Sequence, residues 1–408
     1  MPDTLNRLLT PGQLWLIRPK PRPDELFSSW LVRLAWGNAV KLQTFCRQVL
    51  RQRTNFLIAD IDRLTPIEAI EIIAEGTATS LEVARNTGLS QYEGVLWMER
   101  TKGPLAWIMS TVPYGRERRG FGQQFCRLCL ATDEVPYFRR RWRLALSVAC
   151  TIHRVYLEDA CPSCFVPVAF HTNDFGKKLL DLHCPIVQCW SCGVDLRTFE
   201  EPSDRKAPEN LLAFQGALDA LIQAGRSQNL PGTHVAPHLF FEGLHIIVHM
   251  LVSNSRGARL RNMLLARSGA LSLGVFGGER GQRFEGLRIG DRALILGLCA
   301  TLFSPWPKAF TLACREAKVT SSYFPVYRRR PVPYWLRREL QWELFDEDYQ
   351  PAAEERRAAE RYLENRGIAP ARNTVNRLLG VAANRKGTAD RPGPRWNPRG
   401  PRKKGKNK

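Results

Sequence analysis

The stretch Cys150–Cys164, CTIHRVYLEDACPSC, decides the fold of the middle of this chain. It contains a Cys-x-x-His pair, Cys150 and His153, followed closely by a Cys-x-x-Cys pair, Cys161 and Cys164. Four such side chains have the number and type of ligands that a tetrahedral structural zinc site requires. The segment is therefore either one compact site or the junction between two sites, and the neighbouring cysteines favour one of these alternatives.

One further Cys-x-x-Cys pair precedes this stretch, and another follows it. The spacing predicts two consecutive structural zinc ribbons, each built from two such pairs around one ion. The predicted ligands are Cys126, Cys129, Cys150 and His153 for the first, and Cys161, Cys164, Cys189 and Cys192 for the second. The alternative crossed pairing joins the two inner pairs and leaves the outer pairs to close a long loop, so we favour the sequential pairing. His183 and Cys184 are spare ligands that could replace one of these.

The predicted zinc role is structural, because protein side chains fill all four positions and leave none for water. The two ions per chain would then hold the fold together. His245 and His249 form another pair, but Ile246 stands where a zinc-protease helix has its glutamate. We expect these histidines to pack locally on one helix face. Since no spaced set of carboxylates for a catalytic divalent metal is recognisable, the sequence predicts a protein that is not an enzyme.

The charge favours a polyanionic partner. The chain has 408 residues with 60 lysines and arginines against 39 acids, a net charge of +21, which is typical of nucleic-acid binding. Residues 385–408 hold ten of these cations against one acid, and predict a basic disordered tail. Each basic run could also be a solvated face. The predicted DNA contacts are Arg116, Arg118, Arg119, Arg139, Arg140, Arg141, Arg143, Arg328, Arg329, Arg330, Arg402, Lys403 and Lys404.

Apolar residues at helical spacing predict a mainly α-helical, multidomain chain. In DELFSSWLVRLAWG, Asp24 is the expected N-cap and Gly37 the expected end of the helix; in TPIEAIEIIAE, Thr65 and Pro66 are the expected helix start. The segment 79–100 contains two capping boxes on either side of Gly88, which predicts a helix-turn-helix with its second helix over 91–99. That second helix either reads DNA or is one half of a packed hairpin.

Further helices are predicted after residue 200. Apolar stripes run through Leu211, Phe214, Leu218 and Leu221, and through Leu294, Ile295, Leu298, Cys299 and Leu302. Cys46, Cys299 and Cys314 fit apolar faces as core thiols. The segment NTVNRLLGVAANRKG resembles the first helix and turn of another helix-turn-helix, with Asn373 or Thr374 as cap and Gly380 at the turn.

These patterns divide the chain into four parts. We expect a helical, helix-turn-helix-like domain over 1–112, the tandem zinc ribbons over 113–200, a C-terminal helical domain over 201–370, and a helix-turn-helix remnant with the basic tail over 371–408. No apolar run is long enough for a transmembrane helix, and residues 1–20 do not read as a signal peptide. The expected location is the cytoplasm of a bacterium, in association with DNA, where thiols stay reduced.

Several segments in this order resemble the TniQ/TnsD family of transposon target-selection proteins. They are PKPRPDELFSSWLVRLA, ARNTGLS, FCRLCLATDEVPYFRRRWRLALSVACTIHRVYLEDACPSC and CWSCG. The family pattern has Pro where this chain has Arg127 and Gly where it has Phe165. Neither residue is a predicted ligand, so the departure from the family pattern concerns the geometry of the turns that carry the cysteine pairs.

The resemblance implies a non-catalytic adaptor of DNA transposition. Such a protein engages target DNA, or a separate target-recognition complex on DNA, and recruits the transposon's AAA+ ATPase regulator and the transposase. The alternative is a free-standing zinc-ribbon transcription regulator, which would bind specific DNA without an ATPase partner.

Overall fold

The computed structural model describes residues 13–51, 60–98, 103–111, 120–173, 186–198, 206–225, 230, 235–268, 283–324, 332–344 and 353–379, and they are mainly helical. The first helices are α1 Phe27–Gly37, α2 Leu42–Thr44, which continues as a π-helix over Phe45–Val49, α3 Ile67–Thr77, α4 Leu81–Arg85 and α5 Arg127–Thr132. The later ones are α6 Glu209–Ala224, α7 Pro237–Val252, α8 Ala258–Ser268, α9 Ile289–Leu302, α10 Lys308–Glu316, α11 Tyr334–Trp342, α12 Ala353–Glu364 and α13 Arg372–Leu378.

Short elements connect these helices. Single 3-10 turns lie at Leu89–Tyr92, Arg140–Arg143, Phe170–Thr172, Phe284–Gly286 and Ser321–Tyr323. Strands β1 Ala149–Cys150 and β2 Val155–Tyr156 pair antiparallel, with Cys150 opposite Val155. No helix within the described ranges is long and apolar enough to cross a bilayer.

Helix α1 is buried on nearly every side. Its predicted apolar stripe, which includes Phe27 and Trp30, is fully buried as expected. The predicted end at Gly37 is confirmed, whereas the predicted N-cap is wrong, because Leu26 takes that position without a side-chain cap. Asp24 instead has a left-handed backbone and pairs its carboxylate with nearby arginines. Its negative charge therefore pairs with arginines from a distant segment of the chain and does not cap the helix.

The predicted helix-turn-helix after residue 79 does not form as a pair of helices. Helix α4 starts after Ser80, whose Oγ accepts the Val83 N–H at 3.3 Å. The expected second helix is replaced by the 3-10 turn Leu89–Tyr92, after which Gly94 adopts a left-handed φ of 81°. Because Trp97 must then enter the core, the described part of this segment continues as turns. Among the described residues of this segment, no second helix is formed that could read DNA.

The start of α3 is also shifted by one residue. Pro66 lies at the N-cap rather than at the first helical position, and the Thr65 hydroxyl donates back to the carbonyl of Ile61. The helix itself is formed as expected, since Ala69, Ile70 and Ile73 lie on its buried side.

A buried ion-pair cluster fixes the chain segments around α1. The guanidinium of Arg143 is fully buried and binds Asp62 at 2.8 Å and Asp60 at 2.6 Å. It also donates to the carbonyl of Met109 at 2.9 Å. Asp62 in turn accepts from the backbone N–H and hydroxyl of Ser28, at the start of α1. One arginine thus links three distant segments of the chain.

The later helices assemble around α9, which packs against α6, α7, α8 and α10. Both predicted apolar stripes lie in this layer, buried except for the half-buried Leu294, and α6 ends at Gly225 as expected. Trp335 of α11 stacks on Phe240 of α7 with ring centroids 5.4 Å apart. Cys46, Cys299 and Cys314 are all buried, which confirms their expected core positions.

The apolar core is continuous from the first helices into this layer. Buried polar side chains reinforce the contact: Gln215 of α6 pairs with the backbone of Ala149, and Arg292 of α9 donates to the carbonyl of Ala145. Asp159 accepts the N–H of Ile289 at the start of α9. The four-part division of the chain remains a prediction.

Helices α12 and α13 form a separate small cluster through Ala359, Leu363 and Val375. The predicted cap residues Asn373 and Thr374 lie inside α13, because the helix already begins at Arg372. The predicted turn at Gly380 lies outside the described residues.

Replacing Arg143 tests the buried cluster. Arg143→Leu leaves two buried carboxylates without their cation, and we expect it to lower the free energy of unfolding by about 3–5 kcal/mol. The matched variant Arg141→Leu removes a partly exposed contact with Asp24 and should cost no more than about 1 kcal/mol. Urea denaturation followed by circular dichroism measures both; equal small losses would contradict the role given to Arg143.

The loss should also depend on pH. Burial raises the pKa of Asp62 to about 6 against the opposing charge of Arg143, and the charge of Asp60 adds to the rise. The folded chain therefore binds more protons than the unfolded chain between about pH 4 and 6, so this group's contribution to stability declines as pH rises. Without Arg143 the decline should steepen, and Arg143→Leu should be less destabilising at pH 5 than at pH 8.

Candidate metal centres

The first cluster joins a helix start to a β-hairpin. Cys126 directly precedes α5 and Cys129 lies in the first turn of that helix. Cys150 ends β1, and His153 lies in the turn that leads to β2. The antiparallel bridge between Phe125 and Glu158 holds these two segments side by side. Four side chains from distant positions therefore converge on one point.

The distances in this cluster suit a tetrahedral zinc ion. The Nδ1 atom of His153 lies 3.7 Å from Cys126 Sγ, 3.3 Å from Cys129 Sγ and 3.6 Å from Cys150 Sγ. The Sγ atoms of Cys129 and Cys150 are 3.6 Å apart. A tetrahedron with Zn–S bonds of about 2.3 Å has edges of about 3.8 Å, so the donor set fits the ion without rearrangement.

The second cluster consists of two similar turns. The Sγ atoms of Cys161 and Cys192 are 3.6 Å apart, and so are those of Cys164 and Cys189. In each turn the residue after the second cysteine donates its N–H to the carbonyl of the first and has a left-handed backbone. That residue is Phe165 in one turn, with φ 57°, and Gly193 in the other, with φ 76°. Phe165 thus occupies a conformation that glycine adopts at lower cost.

The sequential grouping is the one the structure forms. The two sets of possible ligands are Cys126, Cys129, Cys150 and His153, and Cys161, Cys164, Cys189 and Cys192. The crossed pairing is not formed, because the inner pairs belong to different clusters. His183 and Cys184 lie outside the described residues. The first cluster is largely buried, whereas Cys192 in the second is exposed.

Two of the four thiols of the second cluster, those of Cys161 and Cys189, are poor acids without a metal, whereas a hydrogen bond from the Val194 N–H lowers the pKa of Cys192 to about 7. Burial raises the pKa of Cys189 to about 12, and burial also raises the pKa of Cys161. Since a metal ion binds the thiolate form, uptake of an ion must release protons. Affinity for a metal should therefore fall as the solution is acidified.

The arginines predicted to contact DNA from Arg139 to Arg143 are held by carboxylates. Arg139 is 8% exposed, makes two bonds to Asp133 and lies over the rings of Tyr137 and Trp142. Arg143 is fully buried, as described above, which is incompatible with the predicted phosphate contact. Both contribute to the core instead.

Arg140 and Arg141 of the same run are half-buried and share the carboxylate of Asp24. They line a cavity of about 410 Å³ together with Tyr92 and Asp219. This lining carries as many acidic as basic groups, so it does not form a positive surface. The other predicted contacts, Arg116, Arg118, Arg119, Arg328, Arg329, Arg330, Arg402, Lys403 and Lys404, lie outside the described residues.

A third group of side chains that could hold a metal ion is formed by Glu285 with His245 and His249, which were expected only to pack locally on one helix face. The Nε2 atom of His245 donates to Glu285 Oε1 at 2.8 Å, and the His245 and His249 rings are 4.3 Å apart. Burial and the neighbouring charge of His245 lower the pKa of His249 to about 4. Although burial alone raises the pKa of Glu285, the bond to His245 lowers it to about 2. Nothing in the local sequence links Glu285 to these histidines, since they are far apart in the chain.

Comparison with known proteins identifies the region around the first cluster. Residues 16–157 match the TniQ family model, a stretch that includes α1 to α5 and all four ligands of that cluster and ends before the second cluster begins. A comparison with curated proteins found no match. A TniQ domain marks a protein associated with transposition. Residues 16–157 of the chain therefore form a TniQ domain, which supports membership of the TniQ family.

Proposed function

We propose that this protein is a non-catalytic adaptor of DNA transposition. It engages target DNA, or a targeting complex bound to DNA, and recruits the transposon's AAA+ ATPase regulator and, directly or through it, the transposase to the insertion site. The observation that carries this proposal is the TniQ match over residues 16–157. The adaptor would act in the bacterial cytoplasm, where transposon DNA and its ATPase are found.

The two cysteine clusters support a binding role rather than catalysis. Each supplies four protein ligands at tetrahedral separations, and the first is buried in the family domain. We propose that each holds one Zn²⁺, because thiolate-rich four-ligand sets favour this ion. A zinc ion with four protein ligands has no position for substrate or water, so its contribution is to folding.

The proposed DNA contacts lie in the basic segments outside the described residues. The arginines in the run from Arg139 to Arg143 pair with Asp133, Asp24, Asp60 and Asp62. They cannot supply the contacts to DNA phosphates. The proposed contacts are therefore Arg116, Arg118, Arg119, Arg328, Arg329, Arg330, Arg402, Lys403 and Lys404. Residues 385–408 would make most of these phosphate contacts, because they contain ten cations and one acid.

A pull-down tests recruitment. The full chain is immobilised and incubated with the ATPase encoded beside its gene, with DNA, without DNA, and with DNA followed by nuclease. We expect the ATPase to be retained and DNA to increase retention, with a fraction remaining after nuclease treatment because the contact is between proteins. Sequence-specific DNA binding with no retention of the ATPase would contradict the adaptor and indicate the transcription regulator.

The salt dependence of DNA binding tests the tail. Removal of one phosphate contact reduces the slope of log affinity against log salt by about 0.9 on duplex DNA. Deletion of residues 385–408 should therefore flatten the slope, and Arg402→Gln, Lys403→Gln and Lys404→Gln together should remove up to about 2.7 of it. A chain whose ten tail cations are all glutamine separates charge from chain length. Unchanged slopes would mean that the tail makes no phosphate contact.

Metal content and stability test the two zinc ions. After dialysis, we expect two tightly bound Zn²⁺ per chain, and one in each of Cys150→Ala and Cys192→Ala. Because the first cluster is buried in the family domain and Cys192 is exposed, Cys150→Ala should lower the melting temperature much more than Cys192→Ala. Elemental analysis and thermal denaturation measure these effects. One tightly bound ion in the unmodified chain, or equal melting of the two variants, would contradict the assignment.

A further inference from the structure

The geometry points to a third metal site, formed by His245, His249 and Glu285 and suited to a single Zn²⁺ ion. It lies in the C-terminal helical layer, outside both cysteine clusters, and its ligands are two imidazoles and a carboxylate. The inference does not depend on the adaptor function, since it rests on these three side chains and their surroundings.

The three ligand atoms converge from two elements. His245 and His249 are one helical turn apart on α7 and therefore lie on the same face. Glu285 comes from the 3-10 turn Phe284–Gly286, which packs on α7. All three ligand atoms lie within 4.8 Å of one another. Ligand separations around a first-row metal ion are about 3–4 Å, so a small side-chain rotation completes the site.

The surrounding residues orient the carboxylate. The backbone N–H of Trp107 donates to Glu285 Oε1 at 2.8 Å, which fixes that oxygen beside His245. The Trp107 ring packs edge-on against His245, with centroids 4.8 Å apart, and against Phe284 at 5.8 Å. Trp107 is fully buried and has a left-handed φ of 68°. Such support around a ligand set is what holds metal ligands in a fixed geometry.

The ligand chemistry selects the ion. Calcium and magnesium require oxygen-rich sets, which two imidazoles and one carboxylate do not provide. Two histidines with one acid bind first-row transition metals, and zinc forms three-ligand sites of this composition with water in the fourth position. The site is also accessible, because the His245 side chain is 18% exposed and the Glu285 side chain 9%. An ion could enter here and exchange more readily than from the buried cysteine cluster.

A bound ion would connect two regions of the protein. It would join α7 to the Phe284–Gly286 turn and, through Glu285, to the backbone of Trp107 in the family domain. Zinc in excess of the two tightly held ions should therefore stabilise the packing of the helical layer on that domain. By mass action this appears as a melting temperature that rises with added zinc.

The test uses the full chain with both cysteine clusters already loaded with Zn²⁺. Titration with further Zn²⁺ in a calorimeter should show one more binding site in the unmodified chain. His249→Gln and Glu285→Gln should weaken that site by at least about tenfold. His238→Gln, on the same helix but outside the ligand group, is the matched control and should bind like the unmodified chain.

A second measurement needs no variant. Co²⁺ added to the zinc-loaded chain should give the d–d absorption of a cobalt site with nitrogen and oxygen ligands, without the charge-transfer bands of thiolate ligands. This spectrum separates the proposed site from exchange into a cysteine cluster. No additional equivalent in the unmodified chain, an added site that survives both ligand substitutions, or a thiolate spectrum for the added cobalt would each overturn the inference.

Discussion

The first cysteine cluster imposes the constraint on which the rest of the TniQ domain, residues 16–157, depends. Its ligands come from the start of α5 and from the β1–β2 hairpin, so the chain between Leu130 and Ala149 must leave the cluster and return to it. That closed segment carries Phe138, whose backbone carbonyl accepts the N–H of Leu26 and whose own N–H donates to the hydroxyl of Ser29. The position of α1 is thereby tied to a candidate metal site far along the sequence.

The same closed segment explains the fate of its basic residues. Once the loop is folded back on α1, Arg143 faces Asp60 and Asp62, and Arg139 faces Asp133 between two aromatic rings. A buried guanidinium requires such partners, because an unpaired charge in the core is strongly destabilising. The most basic run in the first half of the chain is therefore a structural element, and the surplus positive charge of the protein is left to other segments.

Local spacing in the sequence was enough to predict the cysteine clusters, because each Cys-x-x-Cys or Cys-x-x-His pair lies in one short turn. Two such pairs supply the four ligands of a tetrahedral site. Local spacing was also enough for the apolar stripes of α1, α6 and α9, where burial follows helical periodicity. It failed where partners are distant: a count of arginines does not reveal that Asp24 or Asp62 neutralises them, and capping boxes could not exclude a turn at Gly94. Glu285 was missed for the same reason, since only the tertiary fold brings it to His245.

We infer that a metal ion held by the first cluster positions α1 within the TniQ domain. Amide hydrogen exchange on the full chain, measured with metal bound and after its removal by a chelator, tests this most directly. We expect α1 and the β1–β2 hairpin to lose protection when the metal is removed, while α9 at the centre of the later helices retains most of its own. Undiminished protection of α1 in the metal-free chain would show that the metal does not position this helix.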